Sequence, residues 1–219
     1  MKKLLPLVLF IVAAAAHAQG VKGNVADGQK KVAMCIGCHG MPGYQATFPE
    51  VYKVPMISGQ NEKFIAASLV AYAKGERRHP SMRAIAGSMS EQDIADVSAF
   101  YAQHGGAPAP APEQVPAPSP AVAALLTKGA CVSCHGANYS KPIDGAYPKI
   151  AGQHADYLYF SLKAYKTEGQ ATHGRGNAIM AAQVKPFSNA ELKAMAQYIG
   201  SLPTELKTVR QSPFHSTSH

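Results

Sequence analysis

Apolar residues recur at helical spacing in three places, and then again in the same three places further along the chain. Phe64, Ile65, Leu69 and Tyr72 predict one helix, and Tyr157, Leu158, Leu162 and Tyr165 predict its counterpart. Ile94, Val97 and Tyr101 predict a second. It is opened by Ser90-Glu91-Gln92-Asp93, a serine with an acidic residue three positions on, which is the form of a capping box. Leu192, Met195 and Ile199 follow Ser188-Asn189-Ala190-Glu191 in the same way, and Gly105 and Gly200 stand where these helices would stop. A third helix is expected before each cysteine pair. No stretch shows the sustained alternation of a half-buried strand, so the expected class is mostly α.

Between the two sets, residues 105–120 read GGAPAPAPEQVPAPSP, with 6 prolines. Such a run cannot form a helix or a central strand and favours an extended polyproline spacer. The flanks match each other. Cys35-Ile36-Gly37-Cys38-His39-Gly40 is answered by Cys131-Val132-Ser133-Cys134-His135-Gly136, and Pro55-Met56-Ile57-Ser58-Gly59-Gln60 by Pro148-Lys149-Ile150-Ala151-Gly152-Gln153. The offset drifts from 96 to 93 to 98 residues along the chain, as it should if loops differ and helices do not. The chain is a tandem duplication, with domains expected at 20–104 and 121–203, a linker at 105–120, and a disordered Ser/Thr-rich tail at 204–219.

The N-terminus bears on the compartment. Lys2 and Lys3 precede an uncharged apolar run at residues 4–16, and Ala16-His17-Ala18 has the small-x-small form of a cleavage site. The run is shorter than the about 20 residues of a membrane span. Residues 1–18 are therefore expected to be a signal peptide and the mature protein to be periplasmic, with a retained N-terminal anchor as the alternative. Two domains of this size with few aromatics and no Trp have lean cores, which a large prosthetic group in each would remedy. The formal charge of +8 falls to +6 without Lys2 and Lys3. That is a basis for steering a protein partner and too little to point to nucleic acid.

All 4 cysteines lie in C-x-x-C-H motifs. Each motif supplies two thiols to add to the vinyl groups of a haem and a His beside them to ligate the iron. Structural zinc, a redox dithiol and plain disulfides compete, but zinc and disulfides leave the paired His unexplained, zinc would need two pairs 96 residues apart to meet, and a redox dithiol would want one motif in a strand-to-helix context that is missing. Two covalent haems c are expected, on Cys35 and Cys38 with His39, and on Cys131 and Cys134 with His135.

The repeat selects the sixth ligand. With Ser90 on Ser188, an offset of 98, Met82 falls on Met180, and no other methionine pairs in any local register. Met82 and Met180 are therefore the expected distal ligands, and the other methionines are expected to fill gaps in the core. His79 and His173 are rivals, but they do not align with each other and are read as solvated loop residues. His154 is expected to begin a helix, and His215 and His219 lie in the tail.

With two haem motifs, a Pro-x-Ile-x-Gly-Gln segment in each half and a Met before each last helix, the chain resembles the dihaem cytochrome c4 family over nearly all of its expected mature length. The second half, CVSCHGANYSKPIDGAYPKIAGQHADYL and on through LKAYKTEG to Met180, is the most diagnostic. The resemblance implies two class I cytochrome c domains whose haems face one another across a pseudo-twofold interface. It further implies that the carbonyls of Pro55 and Pro148 accept a hydrogen bond from His39 and His135, fixing each ring. The implied activity is periplasmic electron transfer without substrate chemistry, from a bc1-type complex or a dehydrogenase to an acceptor such as a terminal oxidase. The implied carrier is not an enzyme and has no transmembrane segment in the mature chain, though peripheral membrane association is compatible with it. The alternative is the haem subunit of a sulfide- or thiosulfate-oxidising dehydrogenase.

The charge is uneven: residues 20–104 carry nine basic and seven acidic side chains, and residues 121–219 carry ten and five. An acidic partner is therefore expected on the second domain, through Lys141, Lys149, Lys163 and Lys166 more than through Lys22, Lys30 or Lys53.

Overall fold

The computed structural model describes residues 21–107, 112–167 and 172–210. The expected signal peptide at 1–18, residues 108–111 of the linker, and His215 and His219 lie outside the described residues.

The first half holds α1 (Val25–Lys31), α2 (Ala33–His39), α3 (Glu62–Lys74), α4 (Pro80–Gly87) and α5 (Glu91–Gln103). The second repeats the plan with α6 (Pro120–Lys128), α7 (Val132–His135), α8 (Ala155–Lys166), α9 (Ala178–Val184) and α10 (Asn189–Gly200). Both expected capping boxes form, Ser90 with Asp93 and Ser188 with Glu191, so each last helix starts where its sequence says.

In each half the opening helix packs on the last, α1 on α5 and α6 on α10. The first crossing is close because Gly28 carries no Cβ: one built there would stand 2.2 Å from the Asp96 carbonyl oxygen. Asp96 is buried at the crossing and accepts from the Asn24 N–H (2.7 Å) and from Lys31 (2.6 Å). Two separate cores result, one around Ile65, Leu69, Ile94, Val97 and Phe100, the other around Leu126, Leu158, Leu192, Met195 and Ile199.

Among the described residues four two-residue strands accompany the helices: β1 (Gln45–Ala46), β2 (Tyr52–Lys53), β3 (Arg77–Arg78) and β4 (Gly174–Arg175). Two residues are too few to show alternation in sequence. β1 pairs with β2 inside the first half, whereas β3 pairs antiparallel with β4 across the halves. Around that bridge the halves dock. Tyr52 stacks on Phe160 at 4.3 Å and 12°, Asp156 accepts from the Lys53 N–H (3.0 Å), and Lys163 pairs with Glu50 (2.6 Å).

Two expectations about the connecting segments need correction. From 204 to 210 the tail is placed against the first half: Leu206 is 2% exposed, and Lys207 donates to the Ser58 carbonyl from its backbone and to the Gly105 carbonyl from Nζ. A single apolar anchor among polar neighbours is easy to read as a tail. The described end of the linker is not a free spacer either. Val115 packs on the second core, and the Pro116 and Pro112 carbonyls accept from Tyr198 Oη (2.9 Å) and Asn138 Nδ2 (3.3 Å). Proline has no N–H to satisfy, but its carbonyl remains a full acceptor.

Candidate haem sites

Each C-x-x-C-H motif winds into a short helix that ends on its histidine, so α2 carries Cys35, Cys38 and His39 within two turns. In the second half Cys131 is the N-cap of α7, and Cys134 and His135 close that helix. His39 Nδ1 lies 2.8 Å from the Pro55 carbonyl oxygen and His135 Nδ1 lies 3.0 Å from that of Pro148. A carbonyl only accepts, so Nδ1 is the protonated nitrogen and Nε2 keeps its lone pair for a metal. Burial lowers the pKa of both imidazoles, which favours that neutral form.

Burial pushes the Cys35 thiol up to about 11 and raises that of Cys131. Among the described residues no group of three or more His, Cys, Asp or Glu side chains is placed to hold a metal ion.

Met82 and Met180 occupy equivalent places, each third in its short helix, α4 and α9. The Asn177 side chain accepts from the Met180 N–H (2.9 Å) and caps α9, and the His79 ring accepts from the Met82 N–H (3.4 Å) and caps α4. His79 is thus a partly buried capping residue, not a solvated loop histidine. The register that pairs the methionines already placed it on Asn177, a common N-cap type, and that signal was available in the sequence. His173 sits beside Thr172 and caps nothing, while His154 is the N-cap residue of α8, as expected. Met82 packs with Cys35 and Tyr72 on the first core, and Met180 with Cys131 and Tyr165 on the second; Met195 is buried core and Met34 is exposed.

Sequence reasoning missed two arginines. Arg77 and Arg175 each stand five residues before the expected ligand methionine, and β3–β4 pairing sets them opposite one another across the seam. Each guanidinium lies over its own half's tyrosine, Arg77 over Tyr72 (4.8 Å) and Arg175 over Tyr165 (5.3 Å). Arg77 is 9% exposed; it donates to Ser68 Oγ (2.8 Å) and Tyr157 Oη (2.7 Å), and its buried Nε has no partner. Arg175 donates to the same Tyr157 hydroxyl at 3.0 Å. Burial alone would raise the Tyr157 phenol, but Arg175 and Arg77 outweigh it and lower its pKa.

Two facing cations without a carboxylate partner among the described residues suit a group that brings its own anions. The residues therefore fit haem c in every respect the side chains test: thiols in pairs, an imidazole with a free Nε2, a thioether, and guanidinium for carboxylates.

Helical folds of this plan, each built around a Cys-Cys-His helix and a Met helix, define a pair of class I cytochrome c domains. The Cytochrome c family profile matches residues 121–203. Over 215 residues the chain is 30% identical to cytochrome c4 of Azotobacter vinelandii, spanning 92% of this chain and 99% of that protein. It superposes on the crystal structure of reduced recombinant cytochrome c4 from Pseudomonas stutzeri with a TM-score of 0.61 at 25% identity, covering 83% of this chain and 100% of that one. It is also 26% identical to the thiosulfate dehydrogenase electron acceptor of Thiomonas intermedia, over 93% of this chain and 95% of that one. The chain belongs to the dihaem cytochrome c4 family. It carries two covalently bound haems c and is an electron carrier, not an enzyme.

Proposed function

We propose that this carrier works in the periplasm, taking electrons from a bc1-type complex or a dehydrogenase and delivering them to a terminal acceptor such as an oxidase. The observation that carries the reading is that both halves repeat one arrangement: a His with Nδ1 committed to a proline carbonyl, and a Met held at the third position of a capped helix. In this reading Cys35, Cys38, Cys131 and Cys134 would hold the haems covalently, and His39 with Met82 and His135 with Met180 would ligate the two irons. Bound haem supplies a one-electron couple whose potential His/Met ligation raises. The protein's own residues do the rest. Pro55 and Pro148 fix the ring orientation and tautomer, and Arg77 and Arg175 would hold the carboxylates of a bound haem. With two ligands from the chain for each iron, no position would be left for a substrate.

The domains in this proposal are residues 20–104 and 121–203, joined by 105–120, behind a signal peptide at 1–18. No helix among the described residues is long and apolar enough to cross a membrane.

A second reading rests on the likeness to the thiosulfate dehydrogenase electron acceptor, which spans nearly the full length of both chains: the donor would then be a sulfur-compound dehydrogenase. Stopped-flow measurements separate the two. Oxidase-containing membranes should reoxidise the reduced protein rapidly, and thiosulfate dehydrogenase with its substrate should reduce the oxidised protein. Absence of oxidation by the membranes would overturn the oxidase assignment.

A further inference from the structure

The two glutamines that end the repeated Pro-x-Ile-x-Gly-Gln segments do not serve their own halves. Gln60 and Gln153 are buried, at 5% and 4% exposure, and each reaches across the seam to the residue after the other half's proline. Gln153 Oε1 accepts from the Met56 N–H (3.1 Å) and its Nε2 donates to the Met56 carbonyl (2.8 Å). Gln60 Oε1 accepts from the Lys149 N–H (2.9 Å) and its Nε2 donates to the Lys149 carbonyl (2.9 Å).

The amide orientation is fixed by its surroundings. Each Oε1 also receives the next backbone N–H of its own chain, from Asn61 (2.9 Å) or His154 (3.0 Å). An atom facing two N–H donors must be the oxygen. Gly59 and Gly152, at φ +83° and +63°, turn the backbone immediately before each glutamine, and a Cβ there would strike the Glu205 or Leu202 carbonyl at 2.8 or 2.5 Å.

What these bonds touch gives them meaning. The Met56 N–H and the Pro55 C=O are two ends of one peptide group, and the Pro55 oxygen is the partner of His39 Nδ1. The same holds for Lys149, Pro148 and His135. Each histidine is thus joined through a single peptide to a glutamine of the opposite half. A peptide whose N–H is engaged is a stronger acceptor at its oxygen, because linked hydrogen bonds polarise one another. A stronger acceptor at Nδ1 makes the imidazole more electron-rich at Nε2.

We propose that Gln60 and Gln153 are positioning residues for the opposite half's axial histidine, so that docking of the halves and the two reduction potentials are coupled. The inference rests on the axial roles proposed for His39 and His135. An electron-rich imidazole stabilises ferric iron, so losing a glutamine raises the potential of the haem in the other half.

The test is a haem-resolved redox titration of the full holoprotein, following haem-methyl resonances by NMR, for Gln153→Met and Gln60→Met. These changes keep the side-chain length and remove the amide. Gln153→Met should raise the potential of the haem on His39 and leave that on His135 in place, and Gln60→Met should do the reverse. Phe160→Ala, which loosens the seam without touching either glutamine, should raise both together. Shifts confined to each glutamine's own half, equal shifts of both haems from either single variant, or no shift while solution scattering shows the halves still docked would each overturn the proposal. Mass and the red-end sulfur–iron band, measured on the wild type, keep the underlying reading separate. Two haems and two Met-ligated irons with uncrossed potentials would sink only the cross-seam role. A missing haem or band would sink the axial assignment itself.

Discussion

Phe160→Ala measures what holds the two halves together. Phe160 and Tyr52 are 7% and 4% exposed, yet neither belongs to either hydrophobic core; their burial is owed to the seam, where the rings stack at 4.3 Å. In a closed core a Phe→Ala change costs about 3–5 kcal/mol, part of it for the cavity left behind. A seam can open and admit water, so the cavity part is largely avoided. What remains is burial of a large apolar side chain, about 1.5–3 kcal/mol, and ring stacking, about 0.5–1.5 kcal/mol. A loss of about 2–4 kcal/mol in docking follows, and at 1.4 kcal/mol per factor of ten it makes the open form about 30- to 700-fold more populated. Native-state hydrogen exchange reads this directly. The Met56 and Lys149 amides, which are bonded across the seam, should exchange faster by that factor, while Val97 and Ile199, inside the two cores, should not change. Acceleration of less than about threefold at the seam, or equal acceleration in the cores, would refute the reasoning that docking and core stability are separate here.

Met82→Ala and Met180→Ala should each remove one of two iron–sulfur charge-transfer bands from the ferric spectrum. Met195→Ala should keep both and cost about 2–5 kcal/mol of stability by denaturant titration; loss of a band in that variant would break the register used to choose the ligands. Arg77→Gln should make a haem potential depend on pH where the wild type is flat. Without the guanidinium a haem carboxylate that it would hold is protonated at higher pH, and losing that negative charge as pH falls raises the potential. A pH profile unchanged in spectroelectrochemistry would show that Arg77 holds only the seam.

The parts of the fold legible in sequence are those with local causes. Capping boxes and helical spacing place the two last helices where they lie, and the 98-residue register carried by Ser90 pairs Met82 with Met180, which hold equivalent positions in α4 and α9. What escaped depends on contacts between halves. Gln60 and Gln153 were visible as a repeat, but no local pattern says that an amide will bond a backbone 89 or 97 residues away. Arg77 and Arg175 looked like polar loop residues because nothing nearby in sequence buries them; β3 and β4 do so only once the halves meet. The tail escapes for a related reason, since Leu206 stands between Glu205 and Lys207 in sequence and the bonds of Lys207 to Ser58 and Gly105 are made far along the chain.

The same seam changes where a partner should approach. Charge counting pointed to Lys141, Lys149, Lys163 and Lys166. Three of these are committed: Lys149 to Glu205 at 2.6 Å, Lys163 to Glu50 at 2.6 Å, and Lys166 to the Phe187 carbonyl. Lys141 lies 4.0 Å from the exposed Glu113. A lysine held by a carboxylate contributes little net field beyond the screening length of about 8–10 Å. Lys166, held only by a neutral carbonyl, keeps its charge, so the second half's positive excess acts through Lys166 and through lysines outside this set. Lys128, Lys185 and Lys193 are exposed, on α6, at the C-cap of α9 and on α10. Charge reversal at these three should slow association with an acidic redox partner and flatten its dependence on ionic strength. Reversal at Lys149 or Lys163 should instead loosen the seam, with a smaller effect on encounter. Stopped-flow rates at several salt concentrations compare the two sets. Equal slowing by both, with the salt slope unchanged, would mean that the encounter does not use this face of the second half.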